Sequence, residues 1–133
     1  MKTLLDEQMD IRMKGHLAGS DIYTLHDLGW LGLKNGELLD NMKAEGFELL
    51  ITADKNLPFQ QNLAALPFTL LLIDTPTLLF VHQVLFIPKI EGFLQNPPVP
   101  LPKIVHISVD GLSKGKKKED LQKILPPGDL LLL

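Results

Sequence analysis

The chain has 133 residues, 45% hydrophobic and 22% charged, with a formal net charge of −3 and no cysteine. One domain with a real core fits that length, and the absence of thiols excludes disulfides, thiol catalysis and zinc–thiolate sites. Arg12 is the only arginine and there is no basic excess, so any nucleic-acid contact must be local.

"MKTLLDEQMD" meets acidic residues before the apolar core of a signal peptide can form, and a soluble cytoplasmic protein is expected. "KTLL" (2–5) is a short apolar run that ends at Asp6 and reads as the first strand. In "EQMDIRMKGHL" (7–17) Met9, Met13 and Leu17 recur every four residues, which predicts a helix. "DIYTL" (21–25) reads as a strand that enters a loop around Gly29, Trp30 and Gly32. "KNGELLDNMKAEG" predicts a helix with Asn35 as its N-cap and Gly46 as its stop. "FELLIT" (47–52) is the third strand, and Asp54 follows it. Asn56 is expected to cap a short helix over 57–64 that holds Pro58 in its first turn.

"PFTLLLI" (67–73) is apolar throughout, as a central strand covered on both faces must be. Thr75-Pro76 is expected to open a long helix, which Pro88 must kink or split. Asp74, Pro76, His82 and Gln83 interrupt the apolar stretch 66–88, so it falls short of the ~20 residues of a membrane span. "QNPPVPLPK" (95–103) is a stiff connector. "IVHISV" (104–109) alternates and reads as an edge strand. The tail 112–133 follows a domain of residues 1–111, opens with a basic cluster and ends in four leucines. Such a segment is too apolar for water and is expected to dock, as a helix or an extended piece. The apolar C-terminal half, helix 76–95 with Leu130–Leu133, also suggests a homodimer or a partner protein.

Five strands alternating with helices imply a three-layer α/β domain: a mostly parallel sheet, right-handed crossovers and strand order about 2-1-3-4-5. In such a sheet functional groups gather beyond the carboxyl ends of the strands, where the order reverses. Asp6 and Asp54 then face one crevice with Glu7 beside them, and paired carboxylates repel unless a cation or a proton sits between them. Hard oxygen ligands suit Mg²⁺ or Mn²⁺, and such an ion favours phosphoryl chemistry. The first turn of the helix at 57 would offer N–H donors to a phosphate, with Asn35, Gln60, Gln61 and Asn62 as substrate-binding groups. Asp74 before Thr75-Pro76 reads as an ordinary helix cap. Lys116–Lys118 reads as a solvated charge cluster, and His82 as a packing residue.

"LLDEQM", "DLGWLGLKNGELL" and "FELLITADKNLPFQQNL" together resemble the small PIN-like proteins, relatives of the PIN-domain ribonucleases of toxin–antitoxin pairs. The similarity spans about the first 75 residues. It implies a metal-dependent ribonuclease that cleaves single-stranded RNA with Mg²⁺ or Mn²⁺, with an antitoxin protein as partner. It makes Asp6 and Asp54 the metal-binding and catalytic carboxylates. Asn35 stands where many relatives have an aspartate, and Glu37 is the substitute for the third catalytic acid. Two other readings compete: a receiver-like phosphoacceptor module built on Asp6-Glu7, Asp54 and Thr75, and a PIN-like scaffold that only binds a partner.

Overall fold

The buried triplet Thr3–Leu5 forms β1, and the computed structural model, which describes residues 1–17 and 21–133, places it between β2 (Ile22–Thr24) and β3 (Leu49–Thr52). β4 (Thr69–Ile73), β5 (Ile104–Ile107) and β6 (Leu130–Leu132) extend the sheet. The order is β2-β1-β3-β4-β5-β6, and every neighbouring pair is parallel. All five residues of β4 are buried, as the unbroken apolar run requires of an internal strand. The sheet has six strands where five were expected, and β5 is not the edge, because the leucine tail pairs with it. An apolar strand beside a free row of β5 backbone groups satisfies both by adding to the sheet.

Alternation along the strands divides the core into two layers. Leu5, Ile51, Leu71, Ile73, Val105 and Ile107 point to one face. There they meet Met13 of α1 (Arg12–His16) and Ile90 and Phe93 of α6 (Ile87–Gln95). Leu4, Leu50, Leu70, Leu72 and Ile104 point to the other face. Leu25 of α2 (Leu25–Leu28), Leu38, Leu39 and Met42 of α3 (Asn35–Ala44), Leu57 of α4 (Leu57–Gln60) and Leu121 of α7 (Lys116–Ile124) cover it. Full burial of one such side chain contributes about 1.5–3 kcal/mol, so the two apolar faces dominate the fold.

One crossover departs from the expected uniform hand. The β1–β2 connection moves one way across the sheet with α1 on its face, and the β4–β5 connection moves the other way with α6 on that same face. These two are therefore of opposite hand, and the remaining crossovers share the hand of β1–β2. The handedness rule arises when a twisted strand feeds a helix directly back onto the sheet. Here α5 (Phe80–Gln83), a 3₁₀ turn at Val84–Phe86 and α6 interpose, followed by the proline-rich return.

Several elements are shorter than their periodicity suggests. The helix expected over 7–17 is confined to α1, with turns before it. Lys34, not Asn35, occupies the N-cap of α3: its carbonyl accepts from the Leu38 amide at 2.9 Å, and Asn35 is the first helical residue. Gly46, with φ +74°, ends that helix as expected. Residues 57–64 do not make one helix, because Gln61 is extended between α4 and a 3₁₀ turn at Leu63–Ala65. Thr75-Pro76 opens a loop rather than a helix, since the Thr75 hydroxyl donates to the Thr77 carbonyl at 2.7 Å. Pro88 sits in the first turn of α6, and the 3₁₀ turn before it breaks the path from α5.

Candidate functional site

The parallel sheet delivers Asp6 and Asp54 to the same rim, because β1 and β3 are neighbours and each aspartate lies just past a strand end. Thr52, fully buried at the end of β3, joins them. Its hydroxyl donates to Asp6 Oδ2 at 2.7 Å and accepts from the Asp54 amide at 3.0 Å. The Glu7 amide donates to Asp6 Oδ1 at 2.8 Å, and Asp54 Oδ1 accepts from the Asn56 amide at 3.0 Å. Burial pushes the Asp6 carboxyl above its ordinary range, against the pull of Thr52 and the Glu7 amide, and the charges of Asp54 and Glu7 add to the rise. Asp6 is thus a carboxylate whose charge is incompletely compensated by the protein.

Asp74, read from sequence as a cap, is instead a buried ionic centre. It is 2% exposed at the end of β4, forms an ion pair with Lys55 Nζ at 3.0 Å and accepts from the Gly115 amide at 3.0 Å. The Ser113 hydroxyl donates to its carbonyl at 2.7 Å, so the segment leading into α7 is pinned to the sheet at this point. His106 Nε2 lies 3.5 Å from Asp74 Oδ2, yet it makes no hydrogen bond among the described residues. Burial lowers the pKa of His106 and outweighs the opposing charge of Asp74, which leaves a neutral imidazole at neutral pH. Lys118 is near enough to bear on that titration, and Lys117 Nζ stands 5.1 Å from the Phe59 ring centre. With Lys55 neutralised by Asp74, Lys117 and Lys118 give this part of the rim its cationic side.

Gln83, met in the sequence only as an interruption of an apolar run, is fully buried and ties two loops of the site together. Its Oε1 accepts from the Asp10 amide at 2.8 Å, and its Nε2 donates to the carbonyls of Gln8 at 3.1 Å and Leu78 at 2.9 Å. A lone glutamine among buried apolar residues is the signal that marks it, because a buried amide must find partners.

The other expected site residues lie on the first turn of α3, at the end of α4 and just after it. Asn35 and Glu37 are exposed on the first turn of α3. Among the described residues no group of three or more His, Asp or Glu is placed to hold a metal ion, so Glu37 does not complete a triad with Asp6 and Asp54. Gln60 is exposed at the end of α4, and Gln61 and Asn62 line a cleft of about 290 Å³ with Gly36, Asp40 and Lys43 of α3. The phosphate-binding turn expected at 57 is lacking. Leu57 N is bonded to the Asp54 carbonyl, Asn56 N to the Asp54 carboxylate, and Pro58 has no N–H. At the end of β5 stand Ser108 and Val109, with Lys103 before the strand. The donor set that remains, two linked carboxylates with Asp6 under-compensated, fits an ion that binds through one or two carboxylates and keeps its waters.

An all-parallel three-layer α/β chain, with acidic groups beyond the carboxyl ends of its inner strands, is the class that fold and site define. Compared with models of protein families, with curated proteins and with solved structures, the chain matches none. No helix among the described residues is long and apolar enough to cross a membrane.

Proposed function

We propose that the chain is a metal-dependent ribonuclease of PIN-like type, acting on single-stranded RNA in the cytoplasm as the toxin of a toxin–antitoxin pair. The observation that carries the reading is the Asp6–Thr52–Asp54 linkage at adjacent strand ends, with Asp6 held above its ordinary pKa range. Asp6 and Asp54 would hold Mg²⁺ or Mn²⁺, and such an ion, when bound, polarises a phosphate and lowers the pKa of its water. Thr52 orients Asp6 through a charge-assisted hydrogen bond. Lys117 and Lys118 supply the local positive charge that a chain of net negative charge needs against RNA phosphates. The exposed Leu78, Leu79, Val81 and Leu85 lie on the segment that leaves β4 at Asp74, so an antitoxin seated there stands beside the rim.

The test pairs thermal melting with cleavage of a single-stranded RNA, for the wild type and Asp54→Asn, in Mn²⁺ and in EDTA. Millimolar Mn²⁺ is expected to raise the melting temperature of the wild type only, and cleavage is expected only with the metal and only from the wild type. In EDTA, Asp54→Asn should melt no lower than the wild type, because a repulsion with Asp6 disappears and the Asn56 amide keeps its acceptor. No Mn²⁺ stabilisation and a lower-melting variant would leave Asp54 as a turn residue and remove the nuclease reading.

A further inference from the structure

A chain of net charge −3 gathers four lysines at one place, Lys114 and Lys116–Lys118. The fold carries them to the carboxylate rim. α4 follows β3 and α7 follows β5, so the first turns of both helices stand beyond the carboxyl ends of the sheet. Asp74, at the end of the strand between them, clamps the two connections together. It pairs at 3.0 Å with Nζ of Lys55, two residues before α4, and accepts at 3.0 Å from the amide of Gly115, the residue before α7. Across that clamp Lys117 Nζ reaches to 5.1 Å from the Phe59 ring centre. Leu57 and Pro58 are buried, but Phe59 is 39% exposed. One exposed ring is ordinary in itself; what marks this one is its place between the lysines and the paired carboxylates. Asp54 lies five residues before it, a span of at most about 18 Å. That span is shortened by the bonds from Leu57 N to the Asp54 carbonyl and from Phe59 N to the Asn56 carbonyl.

Proteins that hold single strands combine an aromatic ring, on which a base stacks, with cations that pair the phosphates. We propose that Phe59, Lys117 and Lys118 form a subsite for one nucleotide of a single-stranded RNA, with the base on the Phe59 ring and the adjoining phosphate on the two ammonium groups. The subsite deepens the nuclease reading and rests on it for the role of the strand it holds, while its binding chemistry needs no metal. In the free protein the Lys117 ammonium screens the ring, a contact that is weak where water reaches it. A phosphate oxygen is the stronger partner for that ammonium, since both groups are charged. The ammonium therefore turns to the phosphate as the base takes the ring face. A phenyl ring has no hydrogen-bonding group, so it accepts any base and reads no sequence. It selects against a duplex, whose bases are already stacked and paired and must be extruded at a cost.

Fluorescence anisotropy of a labelled oligouridylate, in EDTA so that no metal-dependent cleavage intervenes, tests the subsite apart from the chemistry. Phe59→Leu keeps an apolar side chain at an exposed position and is expected to leave the melting temperature unchanged. It should weaken binding about fivefold or more without altering the salt dependence. Phe59→Trp should bind at least as tightly as the wild type. Lys117→Gln should make the slope of log affinity against log salt shallower by about 0.7, the share of one phosphate contact on a single strand. Val99→Ala, at a 95% exposed position, should change nothing. A chain of abasic ribose phosphates should bind the wild type and Phe59→Leu alike. No binding by the wild type overturns the proposal, as does binding that Phe59→Leu leaves equally tight. An equal loss with the abasic chain also overturns it, by making Phe59 a structural residue only. Binding that depends on Phe59, in a protein that never cleaves RNA with Mn²⁺, upholds the subsite and removes the nuclease reading. Mn²⁺-dependent cleavage with Phe59→Leu binding as the wild type does the reverse.

Discussion

Replacing Thr52 by valine keeps the shape of a fully buried side chain in β3 and removes the oxygen that links Asp6 to the Asp54 amide. A hydrogen bond to a charged group contributes about 1.5–3 kcal/mol, and a buried amide left without a partner costs about 1–3 kcal/mol. Since the two share one oxygen and do not add in full, a loss of about 2–4 kcal/mol is expected at neutral pH in EDTA. For a chain of this length, with an unfolding entropy of about 2.1 cal/mol/K per residue, that lowers the melting temperature by roughly 7–14 °C. The loss should depend on pH with a definite sign. The folded-state pKa of Asp6 is already above its unfolded value, and without the Thr52 hydroxyl it rises further. Charged Asp6 is therefore more costly to the variant than to the wild type, and the difference fades as pH falls and the carboxyl takes up its proton. Between neutral pH and the ordinary aspartate value of about 3.9 the gap is expected to shrink by about 1 kcal/mol, the difference between a charged and a neutral hydrogen bond. Urea unfolding followed by circular dichroism at the two pH values measures it. A loss below about 0.5 kcal/mol, or one identical at both, would show that Thr52 does not hold the Asp6 charge.

Gln83→Leu should destabilise the protein by about 2–4 kcal/mol, because the Asp10 amide and the Gln8 and Leu78 carbonyls lose their shared partner; chemical denaturation reads this, and a neutral outcome would mean that water replaces the amide. The folded-state pKa of His106 lies below its unfolded value, so the stability it contributes is fully present above about pH 6.5 and is lost as pH falls, by up to about 1.4 kcal/mol per unit. His106→Gln should flatten that slope just below about pH 6.5, and parallel curves for the two proteins would refute it.

Much of the frame was legible in local pattern. The unbroken apolar run through Leu70–Ile73 marked an internal strand, because only a strand covered on both faces avoids polar positions. Alternation of strands with helices required parallel pairing, and the order around β1 and β3 placed Asp6 and Asp54 on one rim. Helix length was less legible, since periodicity continues through Met9 and across Gln60–Asn62 where hydrogen bonds from distant residues or extended dihedrals stop the helix.

What the sequence by itself determined is which residues must leave water and which strand ends carry carboxylates, since both follow from side-chain chemistry at fixed spacing. Only the tertiary structure decided that Asp74 holds Lys55 and Gly115 rather than a helix, that Gln83 ties the loop after β1 to the loop after β4, and that the leucine tail becomes β6. Each of these joins groups tens of residues apart. Such partners are set by which faces and edges the assembled sheet leaves unsatisfied, and no local window of the chain contains that information.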